Sequence, residues 1–253
     1  MSRRLLLLPA AVLLSLLTSC APVNRLLKAR PAGLSAFFEQ PELALDARKH
    51  GPFQTVWTTP DAALLARGAA ARKLYIAPVT LRYLRPVGKA MSRQEIEWGV
   101  QRQAAQVAWQ LREEFAAAFQ RSPAARYQIV RRPAADAAVL ELAITELNPT
   151  SPKGNAVVTL AKVLNPVAAL GRFFTKGDMA IEGKVLAPGG RRAFFQFADH
   201  EADRLTFVNA RDYTPYGHAM QSMRDWAVQF EEFTRSPSGL RVKDSAAVTL
   251  KLN

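Results

Sequence analysis

The sequence predicts an α/β fold of the α+β kind: a mixed sheet of about five strands with two long amphipathic helices packed on it, preceded by an irregular tether. Three observations carry this expectation. Two stretches repeat apolar residues every three or four positions, as one face of a helix requires. Several short stretches alternate apolar and polar residues with the period of a strand. The elements also come in the order strand, helix, strand, strand, hairpin, helix, which suits a sheet with helices against it.

Arg3 and Arg4 open the chain, and Leu5 to Leu17 follow without a charge, broken only by Pro9 and Ser15. This is the charged-then-apolar order of an export signal. The run falls short of the ~20 residues that cross a bilayer as a helix. Cys20, the only cysteine of the chain, follows it after Thr18 and Ser19. The quartet Leu17-Thr18-Ser19-Cys20 resembles the lipobox of bacterial lipoproteins. That resemblance implies cleavage between Ser19 and Cys20, and a diacylglyceryl thioether with an amine-linked, palmitate-like acyl chain on Cys20. Each buried methylene contributes ~0.8 kcal/mol and two chains suffice for stable attachment, so the expected partner of Cys20 is a membrane. Ala21 in place of an aspartate points to the outer membrane, with the domain facing the periplasm.

The expected division is a signal peptide over 1–19, a lipidated tether and extended arm over 20–72, one α/β domain over 73–237, and a C-terminal tail or extra strand over 238–253. In the arm, Pro22, Pro31, Pro41, Pro52 and Pro60 discourage long helices. Its apolar residues, Phe37, Phe38, Phe53 and Trp57 among them, imply that part of it lies on the domain. The first strand is expected at Lys73 to Val79. Ser92 and Glu95 then form a capping box. Behind it Ile96, Val100, Ala104, Val107, Leu111, Phe115 and Phe119 share a helix face, widened by Trp98, Ala105 and Trp109, and the helix ends near Pro123. Arg112 falls outside that face and is expected to be exposed, so that its replacement costs far less than that of Leu111. "RYQIVR" and "AAVLELAITEL" are the next strands, the latter placing Leu140, Leu142 and Ile144 opposite Glu141 and Thr145. "GDMAIEGKVLA" sets Met179, Ile181 and Val185 against Glu182 and Lys184, and Pro188-Gly189-Gly190 turns the chain into "RRAFFQFAD". The last helix runs from about Pro215 to Thr234, with Met223, Trp226 and Phe230 on its apolar face.

The chain carries 34 basic against 21 acidic residues, and removal of 1–19 takes away only Arg3 and Arg4. A basic surface attracts anionic lipid, acidic polymers or nucleic acid. The positive charges are scattered and no nucleic-acid motif accompanies them, so nucleic acid is not an expected partner.

With these elements placed, the chain resembles a bacterial lipoprotein family catalogued as domain of unknown function thirty-three-thirteen. The resemblance rests on "GLSAFFEQPEL", "VWTTP", "LYIAPVTL", "YQIVRRPAADAAVLELAITELNPTSP", "GDMAIEGKVLAPGG" and the tryptophan of "SMRDWAVQF", in that order. It implies a location and a fold but no activity.

The stretch "ADHEAD", with Asp199, His200, Glu201 and Asp203, is the densest group of possible acid-base or metal-binding side chains. Consecutive strand residues point to opposite faces, so one metal cannot take them all. A pair such as His200 with a carboxylate stays open, while His50 and His218 stand alone. No catalytic residue, metal ligand set or cofactor is therefore expected. The segment Asn155 to Gly177 is strongly apolar between two strands. Its Val158, Lys162, Arg172 and Phe173 are the candidate interaction surface, for an envelope protein or anionic lipid. The leading functional expectation is a non-catalytic lipoprotein that binds an envelope protein, a lipid or a cell-wall component. The alternative is a periplasmic hydrolase or metal-dependent enzyme working around Asp199 and His200.

Overall fold

In a computed structural model, residues 31–46, 51–85, 93–148, 178–202, 217–236 and 242 are described. Among them lie seven strands: β1 (Leu45–Asp46), β2 (Thr55–Thr58), β3 (Lys73–Ile76), β4 (Gln128–Val130), β5 (Ala137–Asn148), β6 (Asp178–Leu186) and β7 (Ala193–Ala202). Three helices accompany them: α1 (Ala62–Ala70), α2 (Arg93–Arg121) and α3 (Gly217–Arg235). All strands join one mixed sheet in the order β1-β2-β7-β6-β5-β3-β4. β5, β6 and β7 form an antiparallel meander, β2 adds to β7 antiparallel, and β3 runs parallel to both β4 and β5.

The expected class is observed, with two strands more than the five foreseen. Both come from the arm: β2 pairs Thr55–Thr58 with Phe195–Ala198, and β1 pairs with β2. The sheet thus begins before Lys73. The arm also contains α1, which the density of prolines had hidden. Asp61 caps it by accepting from Leu64 N at 3.0 Å. Gly68 is required there because a Cβ would sit 2.5 Å from the Phe194 ring.

Both long helices pack on one face of the sheet. Leu111 and Phe115 of α2 and Met223 and Trp226 of α3 are fully buried against Leu140, Leu142 and Ile144 of β5 and Met179 and Ile181 of β6. Phe53, Phe197 and Phe230 stack through this core, with centroids 4.3 Å apart for Phe53 and Phe197 and 5.2 Å for Phe197 and Phe230. Arg224 Nε donates to the buried Glu114 at 3.2 Å and ties α3 to α2, and Arg126 Nη1, from the loop after α2, donates to Thr234 O of α3 at 3.2 Å. Two expectations for α2 fail. Trp109 is 59% exposed and Ala105 is exposed, because both stand off the stripe of Ala104, Ala108, Leu111 and Phe115 that meets the sheet. Arg112 is only half-exposed and donates to Ile76 O at 2.9 Å.

The β6–β7 connection is the expected tight turn: Gly189 has φ +65° and Gly190 N donates to Ala187 O at 3.0 Å. A register shift between Ile144 and Glu146 makes a bulge at Thr145. Among the described residues, no helix is long and apolar enough to cross a membrane. The C-terminal tail lies outside the described residues except for Val242, which is buried.

Candidate functional site

The sheet face turned away from α2 and α3 is where the chemistry gathers. Alternation puts Glu182, Lys184, Gln196, Ala198 and His200 on it, opposite Ile181, Val185, Phe195, Phe197 and Asp199. Asp199 and His200 are therefore divided between the two faces, as consecutive strand residues must be. Asp199 points into the core, where Trp226 Nε1 donates to it at 2.5 Å and Gln54 N at 3.1 Å. This pairing satisfies a buried carboxylate and positions α3, and it removes Asp199 from any shared site with His200. Glu201 also lies on the core face and is buried.

His200 meets carboxylates from the two neighbouring strands. Its Nε2 lies 3.8 Å from Glu146 Oε2 on β5 and 3.7 Å from Asp178 Oδ1 on β6. The bulge at Thr145 makes this possible, because it re-aims β5 so that Glu146 stands opposite Ala180, which itself stands opposite His200. Arg85 binds the other oxygen of Glu146 and the carbonyl of Gly33. It reaches there because residues 77–85 track along β5, with Thr80 N donating to Leu142 O at 2.9 Å and Arg85 N to Thr145 O at 3.0 Å. Asn148 Nδ2 donates to Asp178 Oδ1 at 2.5 Å. Sequence reasoning singled out His200 and missed Glu146 and Asp178, whose relation to it is set by strand order. The acidic residue on the polar side of each neighbouring strand was the available signal.

Beside this triad the arm crosses the same face. Ser35 donates through N and Oγ to the two oxygens of Glu182, both at 2.7 Å. Glu39 N donates to Gln196 Oε1 at 2.8 Å, and Gln196 Nε2 returns a bond to Glu39 O at 3.1 Å. Lys184 Nζ sits 4.4 Å above the Phe37 ring and 3.1 Å from Glu39. Phe38, Trp57, Leu186 and Ala198 form a small second core under the arm. Glu182 and Gln196 are themselves almost fully buried, so the arm supplies the partners that make their burial tolerable.

Of the other sequence-predicted positions, Ser19 and Cys20 of the cleavage and lipidation site, Val158, Lys162, Arg172 and Phe173 of the candidate surface, His50 and Asp203 all lie outside the described residues. His218 falls in the first turn of α3.

These features define an α/β protein whose sheet carries helices on one face and its own arm on the other. The chain belongs to the family described as "Protein of unknown function (DUF3313)", which matches residues 37–230. No curated protein matches it. Among solved structures it is similar to a single-substitution variant of the PelC dodecamer from Paraburkholderia phytofirmans, at 9% identity and a TM-score of 0.37, over 72% of this chain and 98% of that one. It is also similar to the PelC dodecamer itself, from the same organism, at 10% identity and a TM-score of 0.33, over 69% of this chain and 96% of that one.

Proposed function

We propose that the chain is a lipid-anchored, non-catalytic lipoprotein of the cell envelope, a binding or accessory module held by Cys20 on the periplasmic side of the outer membrane. The observation that carries this reading is the attachment of the arm to the sheet through Ser35, Glu39, Glu182 and Gln196. Only the ten residues from Ala21 to Arg30 separate Cys20 from the first described residue, and they span at most about 35 Å. A lipid on Cys20 would therefore keep the sheet within that distance of the bilayer. The non-catalytic part is supported by the uses of the buried polar side chains: Asp199 holds Trp226, Glu182 holds Ser35 and Glu114 holds Arg224.

The segment Asn155 to Gly177 is the proposed contact with an envelope protein or anionic lipid. β5 and β6 are antiparallel neighbours, with Asn148 opposite Asp178 although the two are 30 positions apart. A hairpin of this kind closes with about 2 to 5 residues, so the sheet itself does not require the length. Val158 and Phe173 offer apolar area, and Lys162 and Arg172 add charge suited to lipid phosphate or an acidic protein.

Two measurements test the proposal. Labelling with a fatty-acid analogue should mark the wild type and not Cys20→Ser; equal label on both removes the lipoprotein reading, since no second cysteine exists. Photo-crosslinkers at Val158 and Phe173 should capture an envelope molecule in cells. Full shielding of both positions from solvent labelling in the purified protein would assign the segment to the core.

A further inference from the structure

We propose that Glu146, Asp178 and His200 form a binding site for a first-row divalent cation, with zinc the best match. One ligand atom from each lies within 4.8 Å of the other two. A tetrahedral zinc ion with bonds of about 2.0 to 2.1 Å holds its donors roughly 3.4 Å apart. The distances from His200 Nε2 to the two carboxylate oxygens, 3.8 and 3.7 Å, need to close by only a few tenths of an ångström. Small rotations of the side chains supply that.

The donors are held as metal ligands are usually held. They come from three adjacent strands of one meander, whose register fixes their spacing. Arg85 occupies Glu146 Oε1 and leaves Oε2 facing His200. Asn148 donates to Asp178 Oδ1, the oxygen nearest His200, and fixes its position. Outer partners of this sort orient ligating carboxylates and are part of the site's affinity. One imidazole with two carboxylates favours zinc or its first-row neighbours over magnesium and calcium, which prefer oxygen donors throughout. Three protein donors leave a position for water or a bound ligand. The site differs from the sequence expectation of no metal because it draws on three strands, whereas "ADHEAD" offered consecutive residues of one. It stands independently of the lipoprotein reading, and Arg85, through Gly33 O, connects it to the arm.

The test uses the full, untagged chain as it is made in cells, solubilised in detergent, stripped with a chelator and titrated with zinc by calorimetry. One zinc per chain is expected. Binding should weaken about 100-fold or more in His200→Ala and about 10-fold in Asn148→Ala, which removes only outer support. His50→Ala and His218→Ala should bind as the wild type does. Absence of stoichiometric binding, unchanged affinity in His200→Ala, or calcium or magnesium binding as tight as zinc overturns the proposal. Should the variants fail to fold, X-ray absorption on the zinc-loaded wild type decides. Nitrogen and oxygen donors with a single imidazole support the site, while two imidazoles or a sulfur donor overturn it.

Discussion

Gly183 shows how strictly single residues are specified here. A Cβ at this position would lie 2.3 Å from the ring of Phe197, which is fully buried between Phe53 and Phe230 and has no room to retreat. Gly183→Ala should therefore destabilise the protein by about 1 to 3 kcal/mol through overpacking, read by denaturant unfolding. Adding Phe197→Leu to the same chain should recover part of the loss; a neutral single variant would mean that the ring yields more easily than its stack implies. Asp61 is a second residue with a measurable signature. It accepts from Leu64 N at the start of α1 and pairs with Arg192 Nη1 at 3.1 Å, and the backbone bond foremost, with Arg192 in support, holds its carboxyl below the usual value. A carboxyl whose folded-state pKa is depressed contributes stability above its unfolded pKa of 3.8, and that contribution disappears as pH falls through the lower folded value. Asp61→Asn should lower the melting temperature at pH 7, and the gap from wild type should shrink in strongly acid solution. A gap independent of pH would show that the charge of Asp61 plays no part.

At the scale of elements, α2 behaves as a core helix with a solvated outer side. Leu111 is fully buried, so Leu111→Ala should cost about 2 to 5 kcal/mol in lost burial and residual cavity. Trp109→Ala, on the exposed side, should stay within about 0.5 kcal/mol. Equal effects in thermal melts would mean that the helix is rotated from its described position. Arg112 is a poor neutral control, because its bond to Ile76 O ties the helix to the end of β3. The contrast explains what was legible beforehand. Helical and strand periods are local properties, so the existence of α2 and α3, the two faces of β6 and the turn at Gly189 could be read from the residues. Trp109 misled because hydrophobicity was taken for burial. β1 and β2 were not legible because they lie among the prolines of the arm, and the pairing of β2 with β7, on which β1 then builds, is a long-range event. The His200 triad escaped for the same reason: it exists only once β5, β6 and β7 are in register and Thr145 has bulged.

At the scale of the whole molecule, the described part of the arm belongs to the folded body through Ser35 and Glu39. Glu182 is almost fully buried, and Ser35 donates to both of its oxygens, to one from the backbone N and to the other from Oγ. Ser35→Ala keeps the first bond and deletes the second, leaving a buried carboxylate oxygen short of a donor at a cost of about 1 to 3 kcal/mol. The helix face of the sheet is untouched by this change, since the core of Phe53, Phe197, Phe230 and Trp226 lies on the other side. The loss should therefore appear first as local opening of the arm. Hydrogen exchange at Phe37 and Glu39 should accelerate in Ser35→Ala while β5, β6 and α3 keep their protection. Ser35→Thr, which retains the hydroxyl, should restore slow exchange. Acceleration spread evenly over arm, sheet and helices would instead make the arm an inseparable part of the fold, and the lipid proposed on Cys20 would then have no releasable step at the arm between it and the sheet.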